Sequence, residues 1–158
     1  MNAPQRLDAE YVLPLKWSDE SGVAELADYL RRVAEWIDVT VVDGSDPDRF
    51  ATHAAAWGNV VRHIPVAVHA GANGKVRGVL TGIAAARHER VVLADDDVRY
   101  DAEGLARVVA ALADADLVKP QNHFRPLPGT LAGTPAGRSS TALWAVTIRG
   151  RTAFDARR

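Results

Sequence analysis

Arg90-Val91-Val92-Leu93-Ala94-Asp95-Asp96-Asp97 is the stretch whose reading decides the fold. Four apolar residues in a row, two of them β-branched, suit a strand buried on both faces, which needs no polar alternation. Three carboxylates follow at once. They repel one another, and a fold gains nothing by placing them at the end of a buried strand unless something cationic joins them. Side chains alternate along an extended segment, so Asp95 and Asp97 are expected on one side and Asp96 on the other. Two carboxylates, waters and a diphosphate make the hard-oxygen octahedron that Mg or Mn prefers. The plainer alternative is one aspartate capping a turn with the others solvated.

Working outward, the chain alternates strand and helix. Tyr11–Leu15 reads as a strand, Ser18 to Ser21 as caps and first-turn acids, and Val23, Leu26, Leu30, Val33 and Ile37 as a helical face. Asp38–Val42 is the second strand, and Asp46-Pro47 the N-cap and first residue of a helix running towards Trp57. Residues 60–68 hold a third strand broken by Pro65; Gly71 to Gly74 form a turn before the face Val76, Val79, Leu80 and Ile83. After the acidic triplet, Asp101 caps a helix carrying Leu105, Val108, Val109 and Leu112, and Leu117-Val118 begins a fifth strand. Five alternations with short connections predict an α/β domain: a mostly parallel sheet with helices on both faces.

Ligands of such sheets sit beyond the carboxyl ends of the strands. The residues expected there are Lys16, Asp43-Gly44-Ser45, Asn73-Gly74-Lys75 and Asp95-Asp96-Asp97. Gly71 to Lys75 resembles part of a phosphate loop without matching GxxxxGK[ST] or GxGxxG, so a simple tight turn stands beside that reading. Lys75 is one of three lysines beside sixteen arginines and offers a point charge to a phosphate. Asp43 suits either a nucleoside contact or turn chemistry with Gly44 and Ser45. The five histidines (His53, His63, His69, His88 and His123) show no metal-ligand spacing and read as surface or satisfied groups. Trp17 borders the expected crevice, and no serine has a GxSxG context.

Composition narrows the classes. The 158 residues are 47% hydrophobic and 25% charged, as in a globular domain with a real core. Nineteen basic against twenty acidic residues leave a net charge of −1 and no field that would attract nucleic acid. The absence of cysteine excludes disulfides, thiolate metal sites and cysteine nucleophiles. No apolar run is long enough to span a bilayer and the start reads as no signal peptide, so the expected location is cytoplasmic.

Taken in order, these pieces resemble the nucleotide-binding half of a family-2 glycosyltransferase of the GT-A fold. The matching stretches are Val12-Leu13-Pro14, Val41-Val42-Asp43-Gly44-Ser45, Asn73-Gly74-Lys75, and a DxD motif in Val91 to Asp97. The resemblance implies a nucleoside-diphosphate sugar as partner, with Pro14, Asp43, Gly74, Lys75 and Asp95 near the nucleotide. It also implies Mn or Mg as cofactor on Asp97 and Asp95, and transfer of the sugar to an acceptor that these residues do not name.

The same resemblance implies a C-terminal half with the general base of inverting members, and no counterpart is legible here, so no catalytic residue is assigned. The expected domain is 8–128. Residues 129–158, with five arginines and Asp155 as their one acid, read as an atypical tail: a frameshifted or truncated product, or a disordered ending. Two other functions fit less of the sequence. A receiver-like magnesium-binding signalling module would use Lys119-Pro120, and a nucleotidyltransferase would need a glycine-rich basic loop where Pro14-Leu15-Lys16-Trp17 stands.

Overall fold

In chain order the elements are β1 (Glu10–Leu15), α1 (Val23–Ala34), β2 (Asp38–Asp43), α2 (Pro47–Trp57), β3 (Arg62–Pro65) and α3 (Gly74–Ala85). Then follow β4 (Arg90–Ala94), α4 (Ala102–Ala110) with a 3-10 turn (Ala111–Ala113), β5 (Leu117–Val118) and β6 (Ala145–Arg149). This computed structural model describes residues 6–67 and 73–120, and the backbone of 145–149. Residues 68–72, with His69 and the Gly71-Ala72 part of the glycine turn, lie outside the described residues. So do 121–144 and 150–158, with His123 and Asp155.

The six strands form one sheet in the order β3-β2-β1-β4-β6-β5. β1 pairs in parallel with β2 and β4, and β2 with β3. β6 runs antiparallel between β4 and β5. The sheet therefore draws a strand from beyond residue 128, where the sequence reading draws its domain boundary. The receiver-like alternative fails here, because such modules order an all-parallel sheet 2-1-3-4-5.

Alternation divides the core cleanly. Tyr11, Leu13, Val39, Val41 and Val92 pack with α1, α4 and Trp57 of α2 on one face. Val12, Val42, Val91 and Leu93 pack with Ile83 of α3 on the other. α3 lies very close to the sheet, because a Cβ built on Gly82 would fall 2.2 Å from Val12 Cγ1 and 3.2 Å from Val42 Cγ2. Among the described residues no helix is long and apolar enough to cross a membrane.

Two helices start as expected, and α3 starts in the same way. Asp46, Asn73 and Asp101 each accept from a backbone N–H three residues on, in Arg49, Val76 and Gly104. The start of α1 differs. Its N-cap is Gly22 with no side-chain bond, because Asp19 is already turned onto Ser21 N and Oγ at 2.9 and 2.5 Å. β3 is also shorter than expected, since Val60 and Val61 donate back to Trp57 O and extend the turn after α2.

Two carboxylates are enclosed. At the amino end of the sheet, Glu10 accepts from Thr40 Oγ1 and Arg87 N, both at 2.5 Å. At the carboxyl end, Asp43 has a side chain with 0% exposure. Its Oδ2 lies 2.6 Å from His53 Nδ1 and 3.0 Å from His63 Nε2, and its Oδ1 accepts from Ser45 N at 2.8 Å. Burial pushes this carboxyl up, but bonds from His63, Ser45 and His53 outweigh it and hold Asp43 well below the usual carboxylate range. An ionised carboxylate only accepts, so both facing ring nitrogens carry protons.

This packing can be tested through stability. Gly82→Ala should lower unfolding free energy by about 1–3 kcal/mol in urea titration, because a Cβ there overpacks Val12. For Asp43→Asn the expected loss at pH 7 is about 1.5–3 kcal/mol, since two buried imidazole N–H groups lose their charged acceptor. A depressed folded pKa contributes stability that is full above the unfolded value near 4 and lost as pH falls towards the folded one. The gap between the Asp43→Asn variant and wild type should therefore narrow below about pH 4, measured by denaturation at pH 7 and pH 3.

Candidate functional site

A cavity of about 370 Å³ opens at the carboxyl ends of β1, β2 and β4, against the first turns of α3. Its walls are Pro14, Leu15 and Lys16 after β1, Gly44 after β2, Val66 and Ala67 after β3, and Gly74, Lys75, Arg77 and Gly78 of α3. Asp95, Asp96 and Asp97 complete it. Of the residues singled out from sequence, Pro14, Gly74, Lys75, Asp95 and Asp97 are brought together here. Asp43 is not among the lining residues.

Sheet geometry explains the sorting. Asp43 shares a strand face with Val39 and Val41, so its carboxylate turns under α2, where His53 waits. Asp95 shares a face with Val91 and Leu93, so it turns towards α3 and pairs with Lys75 Nζ at 2.8 Å. Asp96 turns the other way and accepts from the indole Nε1 of Trp17. There the extended segment ends. Val98 N donates to Asp95 O at 3.1 Å, so Asp95 to Val98 form a turn. The alternation expected to run through Asp97 stops at Asp96, and Asp97 reaches the cavity by the turn instead.

The acidic turn is electrostatically unfinished. Partial burial raises the Asp97 carboxyl above its ordinary value, and the charges of Asp96 and Asp95 raise it further. A bound cation would oppose those two Coulomb contributions. Among the described residues no three His, Cys, Asp or Glu side chains group as a metal cage. Mg and Mn are commonly held by one or two carboxylates with waters and substrate phosphates supplying the rest, so this donor set fits such an ion with water or an anionic ligand completing its shell.

The cavity also holds more positive charge than expected. Arg77 lines the wall beside Lys75 and Lys16, and its Nε is buried with no hydrogen-bond partner. The sequence reading passes over Arg77. Its signal is present, since Gly74, Arg77 and Gly78 recur at helical i, i+3, i+4 spacing and so share one face. Gly78 is small for a reason: a Cβ there would lie 3.0 Å from Pro14 Cβ. A second hollow of about 210 Å³, bounded by Lys16, Trp17, Ser18, Asp19, Ser21 and Gly22, adjoins the first at Lys16.

Residues 20–136 match Glycosyl transferase family 2. No protein with a curated description matches the sequence. Among solved structures, 4-diphosphocytidyl-2C-methyl-D-erythritol synthase from Anaerococcus prevotii is similar at TM-score 0.57 and 13% identity, over 94% of this chain and 73% of that one. A mannosyltransferase from Pyrobaculum calidifontis, solved with GDP-Man and Mn2+, gives 0.52 and 22% over 77% and 36%. Glucosyl-3-phosphoglycerate synthase from Mycobacterium tuberculosis, solved with Mn2+, UDP and phosphoglyceric acid, gives 0.52 and 22% over 70% and 42%. The chain thus spans well under half the length of the last two. Their likeness is one of fold, the Rossmann-like GT-A arrangement of a mostly parallel sheet with helices on both faces. With the family match covering well over half of its residues, the chain belongs to glycosyl transferase family 2.

Proposed function

We propose that this domain binds a nucleoside-diphosphate sugar through a divalent cation and presents the sugar for transfer to an acceptor. One observation carries the reading: a single cavity is lined both by an acidic turn, Asp95 to Asp97, and by Lys16, Lys75 and Arg77. A free phosphate site would be cationic throughout, and a bare metal site would be acidic throughout. A magnesium or manganese diphosphate needs both.

Asp97 and Asp95 would hold the ion. Bound there, it would act as a Lewis acid that neutralises the diphosphate as the sugar leaves. The chain's own groups do the rest. Lys75 ties Asp95 to α3 and so fixes the distance between the acidic turn and the helix. Arg77 offers a guanidinium to the phosphate oxygens, which suit its planar fork. The amino end of α3 adds partial positive charge, and a Cβ at Gly74 would meet nothing within 4 Å, leaving room for a ligand to approach the backbone. Asp43, enclosed by two histidines, supports the Gly44 edge of the cavity from below rather than touching the nucleoside.

A nucleotidyltransferase reading draws on the Anaerococcus prevotii likeness. It is disfavoured by Pro14-Leu15-Lys16-Trp17, which lacks the flexible glycine-rich loop needed to wrap a triphosphate. Proton removal from the acceptor is assigned to no residue here.

Calorimetry with UDP- and GDP-sugars should give binding that requires Mn2+ or Mg2+. Asp97→Ala should weaken it about tenfold or more, since losing a direct ligand costs no less than losing an outer partner. Arg77→Ala should weaken nucleotide binding while leaving binding of Mn2+ alone unchanged. Equal affinity with and without metal, in the presence of a chelator, would overturn the reading.

A further inference from the structure

Trp17 lies outside every motif of the family resemblance, yet it joins three strand ends. Its backbone N–H donates to Ser45 Oγ at 3.0 Å, which ties it to the end of β2. Its ring stands edge-on to His53 at 5.5 Å and to Trp57 at 6.3 Å, and Gly22 is so close that a Cβ there would lie 3.0 Å from Trp17 Cη2. Wedged on those sides, the indole has little freedom to swing. Its one N–H is spent on Asp96 Oδ2, across the crevice and 79 positions along the chain.

We infer that Trp17 is a positioning residue for the acidic turn: its indole N–H holds Asp96 aside, so that Asp95 and Asp97 are the carboxylates that meet a divalent cation. This rests on the cation reading proposed above. Three consecutive carboxylates on a short turn can rotate, and any two can compete for one ion. Here each has a distinct restraint. Asp95 is anchored to Lys75 and Asp96 to Trp17, whereas Asp97 accepts no bond from another side chain among the described residues. Asp96 already lines the cavity, and without the indole its carboxylate would be free to swing towards the ion and compete with the intended pair. Outer partners of this kind orient ligands that they do not replace, and their loss commonly weakens metal binding by ten- to a hundredfold.

Binding of Mn2+ alone, followed by the electron paramagnetic resonance of the free ion, tests this on the whole chain. Trp17→Phe keeps a ring in the wedge and removes the N–H; it should raise the Mn2+ Kd roughly tenfold with the fold retained by circular dichroism. Asp96→Ala should make the Trp17 substitution silent, so that the double variant binds no worse than Asp96→Ala by itself. Unchanged affinity in Trp17→Phe, or effects of the two substitutions that simply add, would overturn the inference and leave the cation site standing. If wild type itself binds no Mn2+, the cation site falls and this inference falls with it. A second measurement needs no Trp17 variant. Of the four tryptophan indole N–H resonances, that of Trp17 should move on Asp96→Ala and broaden first as Mn2+ is added. A resonance indifferent to both would also overturn the inference.

Discussion

A negative charge sealed inside the domain organises its working edge. The carboxylate of Asp43 accepts from an imidazole on α2, from another on β3 and from the backbone just beyond β2. Such a charge is tolerable only while all its donors are present. It therefore ties together two helix–strand units that apolar packing alone would leave free to slide. His53 in turn stacks on Trp57 at 4.8 Å, and His63 stacks on Phe50 at 4.2 Å, so the anion sits in a small aromatic nest.

Much of the architecture is legible without coordinates. Apolar runs without polar alternation mark strands covered on both faces, and two helix starts are readable from Asp46 and Asp101. These are local signals, written in a few adjacent side chains. The start of α1 is not, because Asp19 has two nearby destinations, a helix cap or Ser21, and sequence does not rank them. The strand that follows residue 128 escapes for a related reason. Five residues, Ala145 to Arg149, become a strand by pairing with β4, some fifty positions away, and nothing local advertises that.

The working edge is legible in part. Strand ends locate Pro14, Lys16, Gly74, Lys75 and the acidic triplet, which do meet in one cavity. Asp43 fails as a wall residue because its strand face, not its place at a strand end, governs where its side chain goes. The same parity rule correctly parts Asp95 from Asp96 and breaks down one residue later, where a turn replaces extended backbone. Arg77 needs a helical reading of a segment that looks like a loop motif. Pairings such as Asp96 with Trp17 are beyond any local rule, since they depend on how three separate strand ends happen to meet.

The position of β6 has a temporal consequence. β4, which bears the acidic turn, has β1 on one side and β6 on the other, and β5 joins the sheet only through β6. As a nascent chain leaves the ribosome, β1 to β4 can assemble while one flank of β4 still shows bare amides and carbonyls. That flank stays adhesive until residues 145–149 emerge, and a chaperone or a neighbouring chain can meet it in the interval. The strand that closes this flank is thus translated well after every described residue that lines the crevice.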